Sequence, residues 1–178
     1  MVEHEIFFEE AEPEDAQSII EFMKDVAHET DAIVLEEDDF PLNHQQMAVF
    51  LDDSLCRLDQ LCFVAKMNGD IIGLINVRTA RTYTLSHIGD VFIAVKKAYW
   101  GHGLGRILLE ETVEWARRNQ VLKRLELTVQ VQNERAVNLY HSVDFAIEGT
   151  KKRGARTIKG EWLDLYYMGL LIDEDDNW

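Results

Sequence analysis

The stretch Val91-FIAVKKAYWGHGLGRILLEETVEW-Ala116 decides how this chain is read. Val91–Val95 is an apolar run without alternation, as expected of a strand covered on both faces. Gly101, Gly103 and Gly105 then alternate with His102 and Leu104 in a tight turn. From Leu104 the apolar positions recur at Ile107, Leu108, Thr112, Trp115 and Ala116, the spacing of one helix face. A strand that turns through glycines into a helix presents main-chain N–H groups with no intrahelical partner. The helix dipole adds partial positive charge there, so the turn suits an anionic group such as a pyrophosphate. Glycine lets that group approach without a Cβ in the way.

Outward from this centre the chain reads as an alternation of strands and helices. Ile6–Phe8 is a short strand, and Pro13 with Glu14 and Asp15 opens a helix over Ala16–His28. A second helix is expected over His44–Leu55. Leu61–Met67 and Ile71–Arg78 flank Asn68-Gly69-Asp70 and form a hairpin, because Asn-Gly favours the two-residue turn. Thr84–Val95 is the strand that feeds the glycine turn. Leu125–Val131 follows the central helix, with Leu125, Leu127, Val129 and Val131 on one face. Asn133 caps a further helix, Phe145–Ile147 is a short strand, Thr150–Gly160 is a basic polar stretch, and Glu161–Ile172 is the last strand. Asp173–Trp178 is expected to fray. The class is α/β (α+β), with one parallel crossover at strand–glycine turn–helix–strand.

Bulk properties narrow the function. A chain of 178 residues suits one domain. A net charge of −15 argues against nucleic acid or an anionic membrane as partner. It fits a cationic small substrate, although acidic surfaces also serve solubility. The segment Glu29–Phe40, with Glu29, Asp31, Glu36, Glu37, Asp38 and Asp39, is either an acidic collar for such a substrate or a solvated connection. Cys56 and Cys62 have no metal-ligand or disulfide pattern, so no metal is expected. Cys62 belongs to an apolar run and reads as core. The acidic N-terminus is no signal peptide, and no apolar run approaches a membrane span, so a cytoplasmic location is expected.

Two nucleotide sites fail on spacing. A P-loop needs Gly-Lys-Ser/Thr, whereas Gly105 precedes Arg106-Ile107. A Rossmann turn needs GxGxxG after an early strand, and this turn lies past the middle of the chain. What remains is a pair of motifs: Val95-KKAYWGHGL-Gly105, then Asn133-ERAVNLYHSVD-Phe145. Together they resemble the GNAT family of N-acetyltransferases. That family carries Arg/Gln-x-x-Gly-x-Gly/Ala after an apolar strand, and later Asn-x-x-Ala-x-x-Leu-Tyr-x-x-x-Gly-Phe. The hairpin and the closing Glu148-Gly149…Gly160-Glu161…Met168 segment look like its branch of ribosomal-protein and spermidine acetyltransferases. Trp100 stands where the family usually has Arg or Gln, and Asp144 replaces the glycine after the helix. A residue there often needs positive φ, so a slightly strained cap is expected.

The resemblance implies one N-acetyltransferase domain over 1–178, with a mixed sheet, a splayed strand pair and flanking helices. It implies acetyl-CoA as cosubstrate. The pyrophosphate would lie on the N–H groups of Gly101, His102, Gly103, Leu104, Gly105 and Arg106. The pantetheine would pair with the strand at Phe92, Ile93, Ala94 and Val95. Asn133 would bond to the pantetheine or to a backbone group beside it. Tyr140 would protonate the departing thiolate, although its row with Ala136 and Leu139 also suits a core residue. A base must take the proton of an ammonium acceptor. Some members use a Glu where this chain has Thr128, which leaves Asp90 as the candidate, with Glu126, Glu29, Glu36 and Glu37 as competitors. His87 and His102 are not enlisted, since a lone His near a turn is ordinary surface. The acceptor would be a small, cationic amine or a protein N-terminus. A homodimer through the C-terminal strands is also implied. A non-catalytic acyl-CoA-binding module on the same fold is the alternative.

Overall fold

A computed structural model describes residues 5–30 and 43–172. In chain order the elements are β1 (Ile6–Glu10), α1 (Ala16–Glu29), α2 (His44–Cys56), β2 (Leu61–Met67), β3 (Asp70–Thr79), β4 (Ile88–Val95), α3 (Leu104–Asn119), β5 (Arg124–Gln130), α4 (Glu134–His141), β6 (Ala146–Arg156) and β7 (Trp162–Leu171). The strands form one seven-stranded sheet in the order β1-β2-β3-β4-β5-β7-β6. Every neighbouring pair is antiparallel except β4 and β5. The mixed α/β class therefore stands, with the parallel step at the glycine turn. The acidic segment expected as a collar lies outside the described residues from Asp31 onward, as does the tail Asp173–Trp178.

Each face of the sheet has its own core. On one face α3 packs Leu104, Leu108, Leu109, Val113 and Ala116 against Ile75, Val77, Val91, Leu125 and Leu127. On the other, Ile19, Phe22, Met23 and Val26 of α1 join Met47 and Leu51 of α2 over Val64, Leu74 and Ala94. Val91–Val95 is thus covered on both sides, which is why its pattern does not alternate. Asn68 (φ 53°) and Gly69 (φ 88°) make the hairpin turn between β2 and β3, as two positive φ angles require. Cys62 is buried, and burial pushes its thiol up to about 12.

The short strand expected over Phe145–Ile147 runs on into the basic polar stretch Thr150–Gly160. Most of it is strand, because β6 runs through to Arg156. It escapes a pattern reading because it is an edge strand with polar residues on both faces. Its ladder shifts register at Ile147/Gly149 and again at Lys151/Ala155, and bulges and charged residues are how exposed edges avoid pairing with other chains. The strand before the glycine turn is also shorter than expected. Tyr83–Leu85 is a 3-10 turn and β4 begins at Ile88.

Glu29 closes α1 and is not a free member of any collar: its Oε2 accepts from the main-chain N–H of Lys97 at 2.7 Å. Lys96 reaches Asp25 of the same helix at 3.0 Å. These two contacts tie the end of α1 to the turn that follows β4.

Asp144 has the positive φ (70°) expected after α4. The Asp144 N–H donates to His141 O at 3.1 Å and Phe145 N–H to Tyr140 O at 3.1 Å, closing the helix. A left-handed L-residue costs about 1 kcal/mol that glycine avoids. Asp144→Gly is therefore expected to raise stability by up to about 1 kcal/mol, read as a higher urea midpoint at unchanged m-value.

Candidate active site

The site begins where β4 and β5 stop pairing. Their register covers only Ile88↔Arg124, Gly89↔Leu125 and Asp90↔Glu126. Beyond Asp90, β4 stays paired with β3 as far as Val95. Beyond Glu126, β5 stays paired with β7 as far as Gln130. Each strand therefore keeps a full ladder on its outer side while the two part from each other. Main-chain polar groups facing such a fork need partners, and a ligand with amide groups can supply them as an added strand does.

A cavity of about 1090 Å³ fills the fork and opens over the glycine turn. Asp90, Phe92, Ile93, Ala94 and Val95 line it from β4, and Thr128 and Gln130 line it from β5. Gly101, Gly103, Leu104, Gly105 and Arg106 line it from the turn and α3, and Asn133, Arg135 and Tyr140 from the start and body of α4. The structure thus gathers every expected donor-site residue around one space except His102, which is exposed and not part of the lining. Of the competing carboxylates, Asp90 alone lines the cavity among the described residues. Glu126 instead accepts from Arg124 Nε at 2.9 Å, and the same guanidinium donates to Glu148 through Nη1 at 2.8 Å. That pairing holds the Glu148 carboxyl below its usual range and raises the Arg124 guanidinium.

The glycines have two different roles. Gly101 (φ 83°) and Gly103 (φ 82°) adopt angles that side-chain-bearing residues rarely take, and Gly103 is the N-cap of α3. Gly105 is helical. A Cβ there would stand 3.0 Å from Leu139 Cδ2, so its smallness brings α3 against α4. The alternation of three glycines reads as one motif in sequence, and only the packing separates turn from helix contact.

Asn133 caps α4, its Oδ1 accepting from Ala136 N–H at 3.2 Å. Tyr140 lies on the opposite end of that helix, 8% exposed and part of the cavity wall. Burial raises its phenol above the ordinary tyrosine range, so it stays protonated at neutral pH. Trp100 donates Nε1–H to Val95 O at 2.7 Å, pinning the turn to the end of β4. Sequence reading missed two lining residues of interest. Arg135 stands over the Trp100 ring, 4.8 Å from its centroid, and Lys151 reaches the cavity from β6. Nothing in the sequence marks Lys151, because its place depends on the bulge beside it.

Among the described residues no cluster of His, Cys, Asp or Glu could hold a metal ion, and no helix is long and apolar enough to cross a membrane. Residues 20–145 match the model of the acetyltransferase (GNAT) family, and the chain belongs to that family. Enzymes of this family use acetyl-CoA as acetyl donor. The chain is 34% identical over 105 residues to an L-amino acid N-acetyltransferase of Escherichia coli, covering 59% of this chain and 64% of that protein. It is 32% identical over 118 residues to an L-methionine sulfoximine/L-methionine sulfone acetyltransferase of Salmonella typhimurium, with 62% and 64% covered. The chain thus spans a little under two thirds of the length of these curated relatives. A GNAT-family acetyltransferase structure from Streptococcus pneumoniae superposes with a TM-score of 0.89 at 41% identity, over 95% of this chain and 100% of that one. A Salmonella typhimurium structure with its cofactor acetyl-CoA shares the fold at a TM-score of 0.82 and 24% identity, 96% of each chain covered.

Gly103→Trp places a side chain at a φ of 82° on the wall of the cavity. Its expected effect is a loss of CoA binding of at least about tenfold, read by calorimetry. Undiminished affinity would remove the turn from the site.

Proposed function

We propose that this protein transfers the acetyl group of acetyl-CoA to the amine of a small, amino-acid-like acceptor. The observation that carries the reading is the fork between β4 and β5, with the glycine turn at the end of β4. The site residues fit the donor in kind. The turn over Gly101–Arg106 offers N–H groups and positive helix-end potential for the pyrophosphate. The β4 main chain at Phe92–Val95 offers the amide partners a pantetheine requires. Acetyl-CoA, when bound, supplies an acetyl group activated as a thioester.

Two side chains then divide the proton work. Asp90 takes the proton of the acceptor's ammonium, directly or through water, and frees the lone pair for attack. Tyr140 holds the proton that the departing sulfur takes, and its burial keeps that proton in place until it is needed. A main-chain N–H on the fork side of β4 stabilises the negative charge that develops on the carbonyl oxygen.

The acceptor class is supported by the two faces of the sheet. Leu127 and Val129 point to the α3 core, so Thr128 and Gln130, which alternate with them, point to the face that carries α1 and α2. Gln130 pairs with Leu165, and Leu165 with Lys151, which puts the Lys151 side chain on that same face. Asp90 shares it with Phe92 and Ala94. Among the described residues the acceptor side of the fork thus offers the Asp90 carboxylate and the Lys151 ammonium, a complement for a molecule with both an amine and a carboxylate. The names of the two curated relatives support the same class. The two free cysteines suit a reducing cytoplasm, where we place the protein.

Tyr140→Phe is expected to lower kcat about a hundredfold while leaving the KM for acetyl-CoA nearly unchanged. Lys151→Ala should raise the KM for L-methionine sulfone several-fold and leave that for its carboxamide unchanged. Equal effects on both amines, or turnover of spermidine in preference to either, would overturn the acceptor class.

A further inference from the structure

We propose that Arg135 is the cationic phosphate contact of the donor site and that Trp100 is its platform. The inference rests on the reading of the cavity as the acetyl-CoA pocket and adds a residue to it. Its starting point is a deficit. A chain with a net charge of −15 must hold a ligand that carries several negative phosphate charges, and Trp100 occupies a position where a charged or amide side chain would have helped. Arg106, on the first turn of α3, is already bridged to Glu110 at 2.7 Å.

Arg135 makes no ion pair among the described residues, and it lines the same cavity. Its guanidinium is held in place by two surfaces. The Trp100 ring lies beneath it at 4.8 Å, and a Cβ added to Gly101 would stand 3.6 Å from its Nη2. The planar group is thus parked beside the first residue of the glycine turn, where N–H groups face an anion. Stacking on an indole is a favourable seat for a guanidinium, and it leaves the edge of the fork, with its N–H donors, free for a phosphate. The indole is fixed in turn by its bond to Val95 O. Trp100 therefore does not stand in for the missing polar side chain. It positions one that comes from α4, two residues after the Asn133 cap.

The assignment is to the pyrophosphate, because the guanidinium sits against Gly101 within the turn. Calorimetry on the wild-type chain, Arg135→Ala, Arg135→Lys and Trp100→Phe with CoA, 3′-dephospho-CoA and pantetheine tests it. Arg135→Ala is expected to weaken CoA and 3′-dephospho-CoA alike, by about tenfold to a hundredfold, and to leave pantetheine binding unchanged. Lysine should recover part of the loss. Trp100→Phe, which keeps an aromatic face and loses the bond to Val95 O, should weaken CoA by less than Arg135→Ala and add nothing in the double variant. In turnover, the KM for acetyl-CoA should rise while kcat at saturating donor stays near wild type. Equal CoA affinity in Arg135→Ala would overturn the proposal. So would a loss confined to CoA and absent for 3′-dephospho-CoA, which would move the contact to the 3′-phosphate. Failure of the wild-type chain itself to bind CoA would instead remove the donor-pocket reading.

Discussion

The separation of β4 from β5 after three paired residues is the constraint on which the rest depends. It survives because neither strand relies on the other. β4 has β3 along its length and β5 has β7 along its length, so each keeps a full ladder on the outer side. The core under α3 spans both halves of the sheet, from Ile75, Val77 and Val91 to Leu125, Leu127 and Met168, and holds them in one body although the strands part. A gap in mid-sheet would ordinarily waste main-chain hydrogen bonding. Here it leaves a slot between two strand edges, which suits a donor arm built from amides.

The remaining parts of the site are arranged about that slot by helix termini. Gly103 starts α3 at the mouth, and Asn133 starts α4 on the adjacent wall. Gly105 draws the two helices together through Leu139, so the anion-facing turn and the helix that bears Tyr140 share one contact surface. Trp100 and Arg135 add a second bridge between them. Helices α3 and α4 thus lie on one face of the sheet, and Asp90, Thr128 and Gln130 point to the face of α1 and α2. The cavity in the fork is lined from both.

The family was readable before any coordinates because its two signatures are local. Val95–Gly105 and Asn133–Phe145 each lie within a single strand–turn–helix or helix–turn–strand unit, and backbone rules act at that range. The Asn68-Gly69 hairpin, the α1 face and the positive φ at Asp144 were legible for the same reason. Glu126 and Glu29 were not separable from Asp90 in this way, since their surroundings depend on contacts distant in sequence: Arg124, beside Glu126, also bridges to Glu148, and Glu29 accepts from the main chain of Lys97.

By itself, then, the sequence determined the order and kind of most elements, the Asn68-Gly69 turn and the two signatures that mark the family. These depend on periodicity, capping and glycine angles, which neighbours along the chain decide. Only the tertiary structure decided that β4 and β5 part, that Gly105 serves packing and not the turn, that β6 is a strand, and that Arg135 and Lys151 reach the cavity. Those outcomes turn on cross-strand register and on contacts between helices, where a bulge or one missing Cβ redirects a side chain that no local pattern distinguishes.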